Sequence, residues 1–201
     1  MKTKQYNVYK FDELSDDAQQ HAFEKYRYFN VEDSFWYEYI LDNWTEQLEK
    51  IGFYNAKIYF SGFSSQGDGA VFESGIDHEK LCNTLIMCAG KNNIQAFQCD
   101  KALKLLDGNL WDCQIQRTNS RYSHESACRL YLDRYDYSKN DDYWNKFFNS
   151  LEETLEDYRR DLCFAIYKDL ETEYEYQTSD EQLRETFIIN ELEFTEEGDI
   201  D

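Results

Sequence analysis

Apolar side chains recur every three or four positions over most of the chain, a spacing that predicts amphipathic helices. Ser15 is typical of a helix N-cap, and Asp16 and Asp17 follow it in the first turn, where carboxylates suit the positive end of the helix dipole. Gly52 is typical of a helix C-terminus. On these signals the predicted helices cover about 15–29, 33–51, 77–89, 94–106, 141–176 and 179–192, with Gly90 and Gly108 close after the third and fourth.

Alternating side chains mark the first candidate strand, with Ile58 and Phe60 on one face and Tyr59 and Ser61 on the other. This pattern predicts a strand at Lys57–Phe63 and a short partner at Ala70–Phe72, joined by the turn sequence Gly67-Asp68-Gly69. A second hairpin is predicted from strands at Leu110–Arg117 and Ser126–Tyr135, and we expect it to extend the same sheet. The sequence therefore predicts an α+β fold, with a small antiparallel sheet of about four strands packed by several helices and with long acidic C-terminal helices.

Nothing in the composition marks a linker between domains. The 201 residues include no Pro and only 8 Gly, and we find no repeat and no low-complexity tract. We therefore expect a single α+β domain over residues 1–201, whose acidic helical part begins near residue 141 and whose last residues, EEGDID, are frayed. Neither a membrane span nor the apolar core of a signal peptide is visible, so we expect a cytoplasmic protein without membrane contact.

Charge is the strongest global feature of the chain, which has a formal net charge of −20. Residues 1–140 hold 21 acids and 16 bases, whereas residues 141–201 hold 20 acids and 5 bases, so −15 of the −20 lies in the last 61 residues. Such a field repels nucleic acid and anionic membranes and attracts basic surfaces. We therefore expect a protein partner with a basic surface and no direct nucleic-acid binding, the alternative being that the acids only solvate the helices.

The glycine-rich stretch Tyr59–Gly69, YFSGFSSQGDG, is the main candidate for local chemistry. It matches neither G-x-x-x-x-G-K-[ST] nor a G-x-G-x-x-G that opens a helix, and its serines lack the G-x-S-x-G elbow. Asp68, Glu73 and Asp77 could hold a metal, but such a spacing arises by chance among 41 acids. We predict no catalytic residue, metal or cofactor here, and expect either a structural connection or a recognition tip around Gln66.

The six cysteines form no CxxC pair and have no histidine at ligand spacing. Cys88 and Cys163 are predicted to lie in apolar surroundings. We therefore expect buried free thiols in a reducing compartment rather than disulfides or a metal site.

Three segments together resemble a family of functionally uncharacterised tailed-bacteriophage proteins. FDELSDDAQQHAFEKYR, followed by FWYEYILDN, resembles the family's F-D-E-L-S opening and aromatic helix. IYFSGFSSQGDGAVFES is similar to its Y-F-S-G-F-x-S-Q-G-D-G-A signature, and LETEYEYQTSDEQLRETFIINELEFTEEG to its acidic C-terminal pattern. The similarity covers about residues 9–75 and 165–198 and leaves 76–140 unmatched. It implies a phage origin and action in the cytoplasm of an infected bacterium, and relatives are sometimes labelled antitoxins. The positions of this signature loop are Ser61, Gly62, Ser64, Ser65, Gln66, Gly67, Asp68 and Gly69.

The resemblance and the charge together favour a non-enzymatic inhibitor of a host protein. The expected target is a nucleic-acid-binding defence factor, so that the protein is of the anti-CRISPR or anti-restriction type and mimics DNA with rows of carboxylates. One alternative is an antitoxin that neutralises a basic toxin, and another is a small-molecule-binding protein or enzyme that uses the signature loop. The residues predicted to contact the partner are Glu152, Glu153, Glu156, Asp157, Glu171, Glu173 and Glu175.

Overall fold

The structure is a computed structural model that describes residues 7–89, 94–106, 111–118, 122–135 and 142–201. The predicted positions Gly90, Gly108, Leu110 and Asp141 lie outside these described residues. The helices are α1 (Asp16–Lys25), α2 (Phe35–Ile51), α3 (His78–Ala89), α4 (Ile94–Leu106), α5 (Asp142–Gln177) and α6 (Asp180–Ile189). The strands are β1 (Tyr9–Lys10), β2 (Phe53–Ser61), β3 (Gly69–Ile76), β4 (Trp111–Arg117), β5 (Cys128–Arg134) and β6 (Glu193–Phe194).

The helix starts and stops follow local chemistry. The Ser15 hydroxyl accepts the Ala18 N–H at the start of α1, as predicted. The predicted extension of α1 to Phe29 is wrong, because the helix ends at Lys25 and Phe29 begins a separate 3-10 turn, from which its ring packs on Phe187. The predicted C-terminal helix is one continuous helix, α5, of 36 residues.

Gly52 ends α2 for two reasons. Its φ of +110° lies in the left-handed region, which favours glycine. In addition, a Cβ at this position would lie 2.7 Å from the backbone nitrogen of Leu81, so the end of α2 packs directly on α3. The Gly52 carbonyl oxygen also accepts the Asp77 N–H at 2.8 Å, just before α3 begins.

The predicted α+β class is confirmed, and 60% of the described residues lie in α-helices or 3-10 turns. The predicted sheet of about four strands is wrong in strand number, because the described strands form three antiparallel pairs, β1 with β6, β2 with β3, and β4 with β5. Among the described residues, no strand of the second hairpin pairs with a strand of the first. The two hairpins meet through side chains instead, in a cluster that contains Val71, Ala127 and Cys128.

The chain divides into two compact units. We call Met1–Tyr39 with Leu170–Asp201 the terminal unit, and Ile40–Asp169 the central unit. The sequence interpretation of residues 1–201 as a single domain stays a prediction. In the terminal unit, the ring of Phe187 packs 5.2 Å from that of Phe11 and 5.4 Å from that of Phe194, measured between ring centroids. The buried core of this unit consists of Phe11, Leu14, Ala18, Ala22, Leu183, Phe187 and Phe194.

The prediction of a frayed C-terminal tail is wrong. Strand β6 pairs with β1, and the Ile200 N–H donates to the Tyr26 hydroxyl at 2.8 Å. Gly198, at φ +91°, lies so close to α1 that a Cβ there would come within 2.2 Å of the Ala18 carbonyl oxygen. The tail is therefore a packed part of the terminal unit.

The central unit buries side chains from both hairpins and from α3, α4 and α5. Its fully buried residues include Arg159, whose guanidinium donates to Glu156 and to the Glu125 carbonyl oxygen. A charge in such a position is tolerated only when it is paired and hydrogen-bonded. Of the helices in the described part of the chain, none combines the length and the apolar character needed to cross a bilayer.

Candidate functional site

The signature loop is closed by its own aspartate. One carboxylate oxygen of Asp68 accepts the backbone N–H groups of Ser64 and Ser65, at 3.0 and 2.6 Å. A Cβ at Gly62 would lie 2.8 Å from that same oxygen, so the glycine leaves room for the carboxylate. Amides that could otherwise bind an anion are therefore already occupied from within the loop, which argues against phosphate binding here.

The two glycines around Asp68 let the loop approach a distant segment of the chain. Gly67 has a φ of +102°, and a Cβ there would meet the Tyr122 ring at 3.5 Å. At Gly69 a Cβ would lie 2.9 Å from the Cα of His124, which is closer than real Cβ contacts come. The Gly-Asp-Gly sequence is thus a turn that docks on the connection between β4 and β5.

A cavity of about 600 Å³ opens where the loop meets this connection. Thr118 borders it and donates its hydroxyl hydrogen to the Ser126 carbonyl oxygen at 3.1 Å. Polar groups and one exposed tyrosine ring dominate the lining. The lining residues are Gln66, Gly67, Thr118, Tyr122, His124, Ser126 and Ala127. The structure thus places the predicted residue Gln66 in a concave site, as a small-molecule site requires.

His124 connects two polar neighbours beside this cavity. Its Nε2 lies 3.0 Å from a Glu125 carboxylate oxygen, and its Nδ1 lies 3.0 Å from the Ser126 hydroxyl oxygen. The Nδ1 also accepts the Ser126 backbone N–H at 3.3 Å, which caps the short 3-10 helix Glu125–Ala127. Because the His124 Nδ1 already accepts the Ser126 backbone N–H, it is poorly placed to accept the proton of the Ser126 hydroxyl as well. The arrangement is therefore a structural cap.

Sequence reasoning missed Tyr122, His124 and Ser126, because they lie about 60 residues from the loop in a segment without a recognisable motif. The pattern His-Glu-Ser is compatible with a capped turn, but it does not indicate which surface the turn meets. The serines of the signature loop differ in their contacts. Ser64 and Ser65 donate their backbone N–H groups to Asp68 within the turn. The buried Ser61 hydroxyl has no hydrogen-bond partner within the described part of the chain.

The seven carboxylates predicted to contact a partner do not form one row. Glu156 and Glu152 turn toward β5, where they accept the N–H groups of Leu130 at 2.8 Å and Leu132 at 3.3 Å. These N–H groups belong to the outer edge of a two-stranded sheet, which is otherwise open to pairing with another chain. The two carboxylates therefore cover the strand edge.

The other five carboxylates lie on both units. Glu153 and Asp157 are exposed on the central unit, and Asp157 lies 4.0 Å from the Arg160 guanidinium. Glu173, on the terminal unit, accepts the Tyr39 hydroxyl hydrogen at 2.6 Å. In the same unit Glu171 is half-buried, whereas Glu175 is exposed.

The candidate metal residues are not brought together. Asp68 binds the loop amides, Glu73 accepts the Tyr59 hydroxyl hydrogen at 3.1 Å, and Asp77 accepts the Lys80 N–H at 3.0 Å. The described residues include no group of three His, Cys, Asp or Glu side chains that could hold a metal ion.

All six cysteines are free, and five of them are buried. The prediction that Cys88 lies in apolar surroundings is wrong, because its side chain is exposed. Burial raises the pKa of the Cys163 thiol to about 12, and it also raises the pKa of Cys113. The thiols of Cys113 and Cys163 are therefore poorly reactive at neutral pH.

The terminal unit carries the densest negative charge. It holds 20 acidic residues, of which 17 are exposed, and each of its four described basic side chains already contacts a carboxylate. These pairs join Lys10 to Glu193, Lys25 to Asp199, Arg27 to Asp180, and Arg184 to Asp12. Hydrogen bonds from Lys25 and His21 lower the pKa of Asp199, which keeps this carboxylate ionised.

The family model described as "Domain of unknown function (DUF8835)" matches residues 36–180. The chain belongs to the DUF8835 family. The matched DUF8835 span includes the whole central unit, with the signature loop, the cavity beside it and the edge-covering carboxylates of α5. Most of the terminal unit lies outside the match. No curated protein and no solved structure matches the chain.

Proposed function

We propose that this protein is a phage-encoded, non-enzymatic inhibitor that binds a basic surface of a host protein. The target that we propose is a nucleic-acid-binding defence factor of the CRISPR or restriction type, reached in the cytoplasm of the infected bacterium. Such proteins carry extended basic grooves for nucleic acid, and a dense array of carboxylates competes for them.

One observation carries this proposal. In the described part of the terminal unit, every basic side chain is already paired with a carboxylate, while 17 acidic residues are exposed. The surface therefore contains many more anions than its own cations can neutralise. A basic partner would supply the missing cations and release the counterions that otherwise accumulate around the carboxylates.

The geometry also refines which acids could contact the partner. Glu152 and Glu156 hold the edge of β5, so their replacement would disturb the fold as well as the charge. Exposed acids without such a role are better reporters of binding. In the terminal unit these include Glu175 on α5, Glu185 on α6 and Glu197 in the tail.

The proposal is tested by affinity capture from a lysate of bacteria that carry defence systems, with washes at low and high salt. A nuclease or another nucleic-acid-binding protein should be retained at low salt and released at high salt. The triple variant Glu175→Lys, Glu185→Lys and Glu197→Lys should lose it. The matched control, with the same change at Asp42, Glu49 and Asp161, reverses three exposed acids of the central unit and should keep it. Capture that neither salt nor the first variant weakens would refute the acidic-surface proposal.

A second candidate function is small-molecule binding at the signature loop, favoured by the cavity of about 600 Å³ beside Gln66. A screen of metabolites by thermal shift tests it. Binding should be lost in Gln66→Ala, whose side chain lines the cavity, while the unliganded Tm stays unchanged. Asp68→Ala is a poor reporter because the carboxylate closes the loop. A screen without hits that depend on Gln66 would leave the inhibitor as the supported function.

A further inference from the structure

Three aromatic rings of α5 surround the ammonium group of Lys101 on α4. The Lys101 Nζ lies 4.2 Å from the ring centroids of Tyr143 and Trp144, and 4.4 Å from that of Phe147. It also donates a hydrogen bond to the Tyr143 hydroxyl. Contacts of a cation with an aromatic face are favourable out to about 6 Å, so all three rings are well within reach.

The rings form walls rather than a stack. The plane of Trp144 makes an angle of 78° with that of Tyr143 and 88° with that of Phe147. Below them the buried Phe148 ring lies 5.2 Å from Phe147 and supports the group. Spacings of one, three and four residues along α5 place the rings together, since positions three and four apart share a helix face.

We call Tyr143, Trp144 and Phe147 the aromatic cage. Tyr143 is 61% exposed, so the cage is open to solvent on that side. Among the described residues, the hydroxyl of Tyr143 is the one hydrogen-bond acceptor that the cage offers to Lys101. A lysine ammonium carries three N–H donors and is strongly hydrated, so aromatic faces are a poor replacement for its water shell. A methylated ammonium has the same charge and needs few or no acceptors.

We propose that the aromatic cage is a binding site for methylated ammonium groups and that Lys101 is its tethered occupant, which the ligand displaces. The cage belongs to the central unit and does not depend on the acidic surface of the terminal unit, so this inference goes beyond the proposed function. The Lys101 stem is flexible enough to leave the cage, because its bonds rotate freely once the ammonium is released.

The tether predicts how affinity changes when Lys101 is removed. A group held on a short flexible link has an effective local concentration in the millimolar range, so it competes with weak external ligands. Truncation in Lys101→Ala empties the cage, and we expect tetramethylammonium to bind about tenfold more tightly than to the wild-type protein. Lys104→Ala is the matched control, because Lys104 lies one turn further along α4 and pairs with Asp100.

Isothermal titration of these proteins with tetramethylammonium, choline and a trimethyllysine peptide provides the test. The neutral choline isostere 3,3-dimethylbutanol should not bind, since it has the same shape without the charge. Trp144→Leu in the Lys101→Ala background should abolish binding, and Tyr143→Ala, which removes a largely exposed ring of the cage, should weaken it. Tighter binding of the trimethyllysine peptide than of choline would indicate that the natural ligand is a methylated protein. Equal binding of the two would indicate that the natural ligand is a free small molecule.

Two outcomes would overturn the proposal and leave Lys101 as a structural clamp between α4 and α5. One is equal, weak binding of tetramethylammonium by the wild-type protein, Lys101→Ala and Lys104→Ala. The other is binding of the neutral isostere as tightly as the cation. Circular dichroism of each variant before the titration verifies that its helices are formed, so that neither outcome can result from unfolding.

Discussion

The Glu156 carboxylate of α5 accepts the backbone N–H of Leu130 on β5 at 2.8 Å. The same side chain accepts two hydrogen bonds, each of 2.8 Å, from the fully buried guanidinium of Arg159. One carboxylate thus accepts a hydrogen bond from the edge of β5 and also pairs with the buried charge of Arg159. An acidic residue of an amphipathic helix therefore has a structural role in the central unit.

Loss of this carboxylate should strongly destabilise the protein. Glu156→Ala leaves the Arg159 charge buried without its partner, for which we expect a decrease of about 3 kcal/mol in the free energy of unfolding. Glu156→Gln should cost less, because its amide oxygen can still accept the Leu130 N–H. Urea denaturation measures both values. The control Glu153→Gln, at an exposed neighbour on α5, should stay within about 0.5 kcal/mol of the wild type. A similar loss in all three variants would contradict this role of Glu156.

The signature glycines should prove structural. Gly69→Ala introduces a Cβ only 2.9 Å from the His124 Cα, so the loop or the β4–β5 connection must shift. We expect a destabilisation of about 1–3 kcal/mol, measured by thermal or urea unfolding. Ser65→Ala is the control, because its side chain is exposed and its contribution to the loop is a backbone N–H. A Gly69→Ala protein as stable as the control would show that the close approach of loop and connection is dispensable.

The packed tail should be visible in the pH dependence of stability. Hydrogen bonds from Lys25 and His21 lower the pKa of Asp199 below its ordinary value of 3.8. A carboxylate whose pKa is depressed by folding stabilises the protein above its unfolded-state pKa, and this contribution is lost as the pH falls through the folded-state value. Asp199→Asn should therefore lower the Tm at neutral pH and differ less from the wild type as the pH approaches 2.

Thermal unfolding between pH 2 and pH 7 tests this expectation. Glu197→Gln serves as control, since it removes an exposed acid from the same tail. If Asp199→Asn and the control gave parallel curves at all pH values, the contact of Asp199 with α1 would not contribute to stability.

Features that depend on neighbouring residues can be predicted from this sequence, whereas features that depend on long-range contacts cannot. The Ser15 cap, the bounds of α4 at Ile94–Leu106 and the stop at Gly52 depend on neighbouring residues, and the sequence predicts them. The packing of the C-terminal tail cannot be predicted from neighbouring residues. It depends on long-range contacts such as that of Ile200 with Tyr26, which are 174 positions apart.

The candidate sites could not be predicted from the sequence either, because they also depend on contacts between distant residues. Periodicity assigns Glu152 and Glu156 to the outer side of α5, because it cannot show that the edge of β5 lies beside them. The residue that occupies the aromatic cage, Lys101, is 43 positions from Trp144. Helical spacing places the three rings together on α5, but only the packing of α4 against α5 brings the Lys101 ammonium to them.

Thiol reactivity should distinguish one cysteine from the other five. Cys88 is the exposed thiol among the six, whereas burial raises the pKa of Cys163 to about 12. Because the thiolate is the reactive form, a disulfide reagent such as Ellman's reagent at pH 8 should rapidly modify one thiol per native chain. Cys88→Ser should eliminate this fast phase, while Cys163→Ser should leave it unchanged. In urea the five thiols that are buried in the native protein should react as well, because unfolding exposes them. Rapid modification of two or more thiols in the native protein would contradict the burial of the other five cysteines.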